Sequence, residues 1–578
     1  MNHEPTLSPS PALRSAAPPV RAAVPPLVPV VLPLVIAAIA LSILFARLFP
    51  AGDRVEPQVR FTDITEQAGL AFAPWRSDTE SPTTLGNAVA VLDFDNDGHA
   101  DLFFVSGTAW PWEESLVKQT SRGSLALFRN DGTGRFTDVT AIAGLNVALQ
   151  GMSAAAGDFD NDGFTDLYVT CVGTDHLFRN RGNGRFEDVT DQAGVGGEEN
   201  TWSTGAAWID IDPGTPGLDL VVAHYARWPY DVGLASAFLI ADVGRSYGAP
   251  TGFLSTFPTV YRNLGDGRFE PVPDSAGIRD IDPATGMPVA YPLAVVPVDA
   301  NGDVHLDLLF SYHTGGSALF INDGSGRFQK SAISPGDRQE GAAAGLASAS
   351  AASFAAEGGL DERSRVLQSL AGIGSRADDG APAELTAKFG FAVVDLDLGG
   401  HWEVFSSEGR AERAVNKFET GRDFAATPRV LWHEGNAWQP APAGDDSAWA
   451  QPLAARGVAV ADFDGDGDPD IVVTQSGGPP RLLRNDQRLG QPWLRVRLAA
   501  TSGSRDAGGA RVEVHTPRRV MVQTVAPAMG LFAQSESTLT FGLGDDARVR
   551  RIVVHWHSGQ RQEVRPVTVN TTLVIAEP

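Results

Sequence analysis

The sequence predicts an all-β protein: a β-propeller of six or seven blades, a small β-sandwich after it, and one transmembrane helix before it. Three observations predict this. A nine-residue acidic loop between short apolar runs recurs through residues 59–490. A Gly-rich hairpin follows the loops at a steady offset. Period-2 alternation replaces both after residue 491. A unit that repeats along the chain signals a repeat architecture, and four antiparallel strands per unit describe a propeller blade.

Residues 1–23 are rich in Pro, Ala and Ser, a composition that cannot bury a core and reads as a disordered tail. Residues 24–49 read as a transmembrane signal anchor. Val24 to Ala46 carry no charge, a run long enough to span a bilayer. It ends in Arg47-Leu48-Phe49-Pro50, a poor cleavage site, so an uncleaved anchor is expected; secretion after signal cleavage is the alternative. Arg14 and Arg21 precede the helix and Arg47, Arg54 and Arg60 follow it, so positive charge does not set its orientation.

The loop reads Asp93-Phe94-Asp95-Asn96-Asp97-Gly98-His99-Ala100-Asp101 and returns at Asp158, Asp160, Asp162, Phe164 and Asp166. It returns again at Asp462, Asp464, Asp466, Asp468 and Asp470. Carboxylates at positions 1, 3, 5 and 9 suit a hard cation with oxygen ligands, and Ca²⁺ is the expected one. The main-chain carbonyl of position 7 (His99, Phe164 or Asp468) supplies a fifth oxygen. An EF-hand is excluded: it needs a bidentate Glu at position 12, where this chain has Phe104, Val169 and Val473. The flanks, such as Ala88–Leu92 and Leu102–Val105, read as buried strands. A fourth copy, Asp299, Asn301, Asp303, His305 and Asp307, keeps an oxygen ligand at every side-chain position and is expected to bind. Two more, at Asp210 and Asp395, have fewer ligands and are doubtful. Asp, Asn and Gly are turn residues in any case, but a turn alone does not demand carboxylates at four fixed positions.

The hairpin signature is Leu127-Phe128-Arg129-Asn130 with Gly132-Thr133-Gly134-Arg135-Phe136, repeated at Leu177, Tyr261 and Leu319. Asn-Asp-Gly clusters between apolar runs are hairpin turns. The last unit ends at Asp486 without its Gly-x-Gly-Arg-Phe strand. A matching strand, Val59-Arg60-Phe61-Thr62-Asp63-Ile64-Thr65, lies at the beginning. It is expected to complete the last blade and remove the free edges. Insertions lie near 226–258, an aromatic loop on one face, and 335–388, rich in Ala, Ser and Gly. From 491 to 578, alternating strands with intervening turns predict the sandwich.

The net charge of −25 argues against nucleic acid as a partner. Four Ca²⁺ ions would offset eight of those charges, so the acidity is in part a metal signature. Cys171 is the only cysteine, so no intramolecular disulfide exists, which fits a bacterial exported protein. Extracellular calcium modules bind at concentrations found outside cells. Residues 51–578 are therefore expected outside the cytoplasm, periplasmic or at the cell surface.

The acidic loops with their Phe-Arg-Asn-x-Gly-x-Gly-Arg-Phe hairpins resemble FG-GAP (VCBS) repeats, the calcium-loop blades also found in integrin α-subunits. Ser504–Val512, Gln534-Ser535-Glu536, Phe541-Gly542-Leu543-Gly544 and Trp556-His557-Ser558-Gly559 resemble an ASPIC/UnbV domain. The pairing resembles the cartilage acidic protein family and its bacterial relatives. The resemblance implies calcium binding and extracellular interaction, and no known reaction.

Two functions are open at this stage. One is a membrane-anchored, calcium-dependent binding or adhesion scaffold for an extracellular protein or glycan. The other is a propeller hydrolase or lyase acting on extracellular polysaccharide. No convincing catalytic set is present. Gly244-Arg245-Ser246-Tyr247-Gly248 matches a nucleophile elbow, but Pro250 prevents the helix it needs. His555 and His557 share a strand face, and a satisfied edge pair accounts for them. His224, Tyr225, Tyr230 and His313 are scattered candidates at strand ends.

Overall fold

The computed structural model describes residues 59–74, 86–108, 124–211, 217–228, 239–240, 244–245, 253–313, 317–331, 390–407, 423–434, 437–441, 448–487, 489–501, 505, 507–526 and 532–578. The helix predicted over 24–49 and the insertion at 335–388 lie outside them, as does most of the insertion near 226–258. Among the described residues no helix is long and apolar enough to cross a membrane.

The fold is all-β and propeller-like. Among the described residues, six sheets each set four antiparallel strands around one acidic loop, and the first of them gains a fifth, parallel strand. The first strands of the sheets are Ala88–Leu92, Gly151–Gly157, Thr201–Ile209, Pro292–Val298, Gly390–Val394 and Ala455–Ala461. Each packs against the first strand of a neighbouring sheet, so they line the axis. This is why they are rich in Ala, Gly and Val: strands converging on an axis leave no room for large side chains. Gly205, for example, has the backbone of Ala294 where its own Cβ would lie, 3.2 Å away. Larger residues fill the wedges between sheets. Phe104, Phe128 and Phe136 of the first sheet pack with Phe463 and Val472 of the sixth. Phe159 and Tyr168 of the second pack with Trp208 and Phe269 of the third.

The sixth sheet is completed from the other end of the chain. Phe61–Asp63 pairs antiparallel with Gly478–Asn485, matching Phe61 to Asn485. The start and the end of the repeat region are thus hydrogen-bonded into one sheet, as the missing strand of the last unit predicts.

The sheets are also latched to one another by a residue that reads in the sequence as a turn former. Each hairpin asparagine is fully buried and sends its amide to the preceding sheet's acidic loop. Asn180 donates to Phe94 O at 2.8 Å and Asn263 to Phe159 O at 2.7 Å. Asn322 donates to Ile211 O, Asn485 to Leu396 O, and Asn130 to Phe463 O. The same amides also donate to a carbonyl in their own loop, as Asn180 does to Thr165 O at 3.2 Å. In the fifth unit Glu434 stands where the others have Asn.

Residues 491–578 form two packed sheets. One orders Leu539–Gly542, Trp493–Ala499 and Thr572–Ala576; the other orders Val520–Thr524, Arg511–His515, Arg551–His555 and Arg561–Val564. Leu494, Val512, Phe541, Ile552, Val554 and Trp556 fill the space between them. Ala533–Gln534 leaves this domain and pairs parallel with Val89–Ala90, on the axial edge of the first sheet.

Replacing Asn180 by Ala leaves two buried carbonyls without a donor, which costs about 1–3 kcal/mol. Urea denaturation should show that loss. Asn180→Asp should be worse, because it aims a carboxylate at carbonyl oxygens.

Candidate metal centre

Each acidic loop joins the first strand of a sheet to the second, so the loops ring the axis on one face of the molecule. The main chain holds the carboxylates in fixed roles. The position-1 carboxylate accepts the position-6 amide: Gly98 N to Asp93 at 3.1 Å, Gly163 N to Asp158 at 2.9 Å, Gly467 N to Asp462 at 3.0 Å. The position-5 carboxylate accepts the position-7 amide, as His99 N to Asp97 and Phe164 N to Asp162 at 3.0 Å. His305 N and Asp468 N do the same to Asp303 and Asp466.

The position-9 carboxylate is the most deeply set. Asp101, Asp166, Asp307 and Asp470 are buried, and each spans two strands. One oxygen accepts the position-2 amide and the other the hairpin-asparagine amide. For Asp166 these are Phe159 N at 3.2 Å and Asn180 N at 2.7 Å. Asp219 of the third loop makes the same pair of bonds. In the fifth loop Glu403 takes the position-2 bond, from Leu396 N at 2.9 Å.

Among the described residues, four loops bring three carboxylates together with ligand oxygens within 4.8 Å of one another. The sets are Asp93, Asp95, Asp101; Asp158, Asp160, Asp166; Asp462, Asp464, Asp470; and Asp395, Asp397, Glu403. These are positions 1, 3 and 9. The last set belongs to a loop whose sequence marks it as doubtful; Glu403 reaches as far as a ninth-position Asp. The position-5 residues stand outside these sets, and in the first two loops an arginine from the hairpin strand bonds them. Arg129 NH2 donates to Asp97 at 2.8 Å and its Nε to Asp95 at 2.6 Å. Arg179 bridges Asp160 and Asp162 in the same way. The fourth loop has Asn301 at position 3, which donates to Asp303.

Asp93 Oδ1 and Asp95 Oδ1 are buried and accept no hydrogen bond. Such oxygens are costly to bury unless a cation meets them, so the first loop's donor set fits a hard divalent ion. Burial raises the Asp93 carboxyl and deeper ones in this and other loops. It pushes Asp101 up to about 8, Asp166 to about 9 and Asp307 to about 7, against the backbone hydrogen bonds that oppose it. Asp470 is raised well above the ordinary carboxylate range by the same cause. Asp466 rises to about 7 and Asp468 to about 6.

The scattered polar candidates on the opposite face serve packing. His224 Nδ1 meets Ser203 Oγ and its Nε2 meets Thr259 Oγ1, both at 3.0 Å. Burial lowers it to about 4, so it stays neutral. Tyr225 OH lies 3.2 Å from His313 Nδ1, within a cluster that includes Trp202 and Tyr291. Tyr230 and Ser246 lie outside the described residues. His555 and His557 do not share a face. The strand ends at His555, whose Nε2 meets Glu513 at 2.9 Å. His557 falls in the following turn and lies 3.4 Å from Asp210 of the third loop.

Comparison with known families matches this geometry. The FG-GAP-like repeat family matches residues 112–169, the FG-GAP repeat family matches 454–494, and the ASPIC and UnbV family matches 500–578. The chain carries FG-GAP repeats and an ASPIC/UnbV domain. Cartilage acidic protein 1 of Xenopus tropicalis is 28% identical over 195 residues, which cover 32% of this chain and 28% of that protein. The match therefore spans less than a third of that relative's length. Among solved structures, a lectin of Agrocybe aegerita specific for non-reducing terminal N-acetylglucosamine aligns at TM-score 0.32 and 17% identity, over 70% of this chain and 81% of the lectin. AofleA from Arthrobotrys oligospora aligns at TM-score 0.31 and 10% identity, over 80% and 91%. Likenesses at those TM-scores carry neither fold nor function.

Two outcomes follow from the FG-GAP loops. A carboxyl raised in the folded state keeps a proton that the unfolded chain releases above about pH 4. Its stability contribution is present below that pH and is lost as pH rises through the folded value. In chelator, the melting temperature should fall from about pH 5 to about pH 9, the window of Asp101 and Asp166. Added Ca²⁺ should raise it more at the alkaline end; an equal gain throughout would remove these carboxyls from the site. The second outcome concerns position 6, which has φ near +90° in Gly98 and Gly163. Val304 occupies it in the fourth loop at φ 69°, a strained conformation for a β-branched residue. Val304→Gly should stabilise the protein by about 1 kcal/mol in the same melts.

Proposed function

We propose that this protein is a membrane-anchored, extracytoplasmic, calcium-binding β-propeller of six blades that acts as a binding or adhesion scaffold. The observation that carries the reading is the convergence of position-1, -3 and -9 carboxylates in four loops, with buried Asp93 and Asp95 oxygens that accept no hydrogen bond. Ca²⁺ would be held there by those carboxylates and by the position-7 carbonyls of His99, Phe164 and Asp468. Its role is structural: it neutralises clustered charge and fixes the turn between the two innermost strands of a blade. The uncharged run from Val24 to Ala46 supports a membrane anchor.

Residues 491–578 occupy the loop face, as Arg497 on Asp93 and Arg495 on Asp462 illustrate. Ligand recognition is therefore assigned to the opposite face, to which Arg227 and residues 254–258 contribute. That face carries a cavity of about 690 Å³ lined by Glu198, Arg227, Phe257, Tyr261, Arg279 and Met287, among others. Apolar walls with a few charged groups suit an extracellular glycan or protein segment. The held, neutral state of His224 weighs against the polysaccharide-cleaving alternative.

Calorimetry with Ca²⁺ tests the metal. Asp95→Ala and Asp160→Ala should each remove about one bound ion, since each deletes a position-3 ligand from one loop. Unchanged stoichiometry in both variants would overturn the assignment. A glycan and protein screen with Ca²⁺ or chelator tests the ligand, and turnover of a polysaccharide would favour the enzyme.

A further inference from the structure

Residues 491–578 touch every one of the six loops. At the first loop Arg497 NH1 lies 3.0 Å from Asp93 Oδ2. At the second, Arg505 N donates to Asn161 Oδ1 at 3.3 Å. His557 reaches Asp210 of the third, and its ring stands edge-on to His305 of the fourth. Arg519 donates to Gly399 O and Gly400 O of the fifth, at 3.1 and 3.2 Å. At the sixth, Arg495 NH1 lies 3.0 Å from Asp462 Oδ2 while its other nitrogen pairs with Glu536.

From this platform the segment 532–536 enters the axis. Val89 N donates to Phe532 O at 3.1 Å. Gln534 exchanges two bonds with the main chain of Ala156, at 2.8 and 2.9 Å. Val460 N donates to Ser535 Oγ, and Asp462 N to Glu536 Oε1. The segment thus uses main-chain groups of three different innermost strands, those of the first, second and sixth sheets. Phe532 is buried among Ala88, Met152, Ala154 and Ala294.

We propose that cation occupancy of the loops and docking of residues 491–578 on the propeller are one coupled equilibrium, with the cation favouring the docked state. The inference rests on the calcium reading above. Its geometric basis is that Asp93 has two faces. Oδ2 meets Arg497 and Gly98 N, while Oδ1 is buried and accepts no hydrogen bond. A cation on Oδ1 holds the carboxylate where Oδ2 serves the guanidinium. Without it, Asp93, Asp95 and Asp101 repel one another, and the surface that Arg497 docks on loses its shape. The axial segment then loses its platform, and the axis opens to solvent.

Coupling of this kind is reciprocal. Arg497 is no metal ligand and is half-exposed, so Arg497→Ala should fold. On charge alone, removing a cation beside the site should tighten Ca²⁺ binding. Coupled docking demands the opposite: Ca²⁺ affinity in the full-length chain should fall by about 5-fold or more. Arg561→Ala, on the exposed outer edge of the same domain, should leave it unchanged. Amide exchange of the full-length wild type supplies the second measurement. Chelator should speed exchange at Val89, Ala156 and Val460 while amides of the outer strands stay protected. Unchanged or tighter Ca²⁺ binding by Arg497→Ala, or axial protection that ignores chelator, overturns the coupling and leaves the calcium assignment standing. A wild type that binds no Ca²⁺ overturns both.

Discussion

The buried carboxylate at the ninth loop position, with the asparagine whose amide it accepts, is the interaction on which the architecture turns. Asp166 ties the second loop to the third strand of its own sheet through Phe159 N and Asn180 N. Asn180 in turn ties that strand to the loop of the previous sheet through Phe94 O. One Asp–Asn pair therefore sets the turn geometry, the position of the hairpin strand and the seating of neighbouring sheets. Buried polar groups satisfied this fully specify one arrangement, because any slip leaves several of them without partners. Five of the six units carry the pair, and in the fifth Glu403 and Glu434 stand in place of Asp and Asn.

The same carboxylates make the loop face a problem in charge. Nature's usual remedies for clustered buried anions are protons, cations and arginines, and this chain supplies its own arginines twice. Arg129 and Arg179 come from the hairpins within the ring. Arg495, Arg497, Arg505 and Arg519 come from residues 491–578, which hold eleven arginines, no lysine and seven carboxylates within a chain of net charge −25. A positively charged domain seated on an anionic ring is complementary in the long-range sense as well as contact by contact. Between the two lies a cavity of about 760 Å³, lined by Asp93, Asp158, Asp462, Arg497 and Arg505 among others. The face is thus covered without being fully packed.

Much of the fold was legible because it is local. The acidic loop, its apolar flanks and the Gly-rich hairpin are contiguous in the chain, and repetition of the unit exposed the one missing strand, whose match Phe61–Asp63 supplies from the other end. The alternation from Trp493 onward likewise reads directly as strands. Repetition strengthened each of these signals, since a turn that recurs with the same carboxylates is more than a turn. Some roles were not legible. Asn130 and Asn180 read as hairpin formers, because an amide's long-range partner leaves no local pattern. His557 read as a strand residue because nothing in Trp556-His557-Ser558-Gly559 marks where the neighbouring domain will lie.

By itself, the sequence determined the all-β class, the repeated unit and the positions of the carboxylates within it. These follow from side-chain chemistry at fixed short spacings, which backbone geometry converts into turns and strands without reference to the rest of the chain. Tertiary structure alone decided which oxygens converge, which are diverted to Arg129 and Arg179, and that residues 491–578 close the loop face and thread Phe532 to Glu536 into the axis. Those outcomes depend on pairs hundreds of residues apart, such as Arg497 with Asp93. Only burial and charge neutralisation across the folded molecule select them.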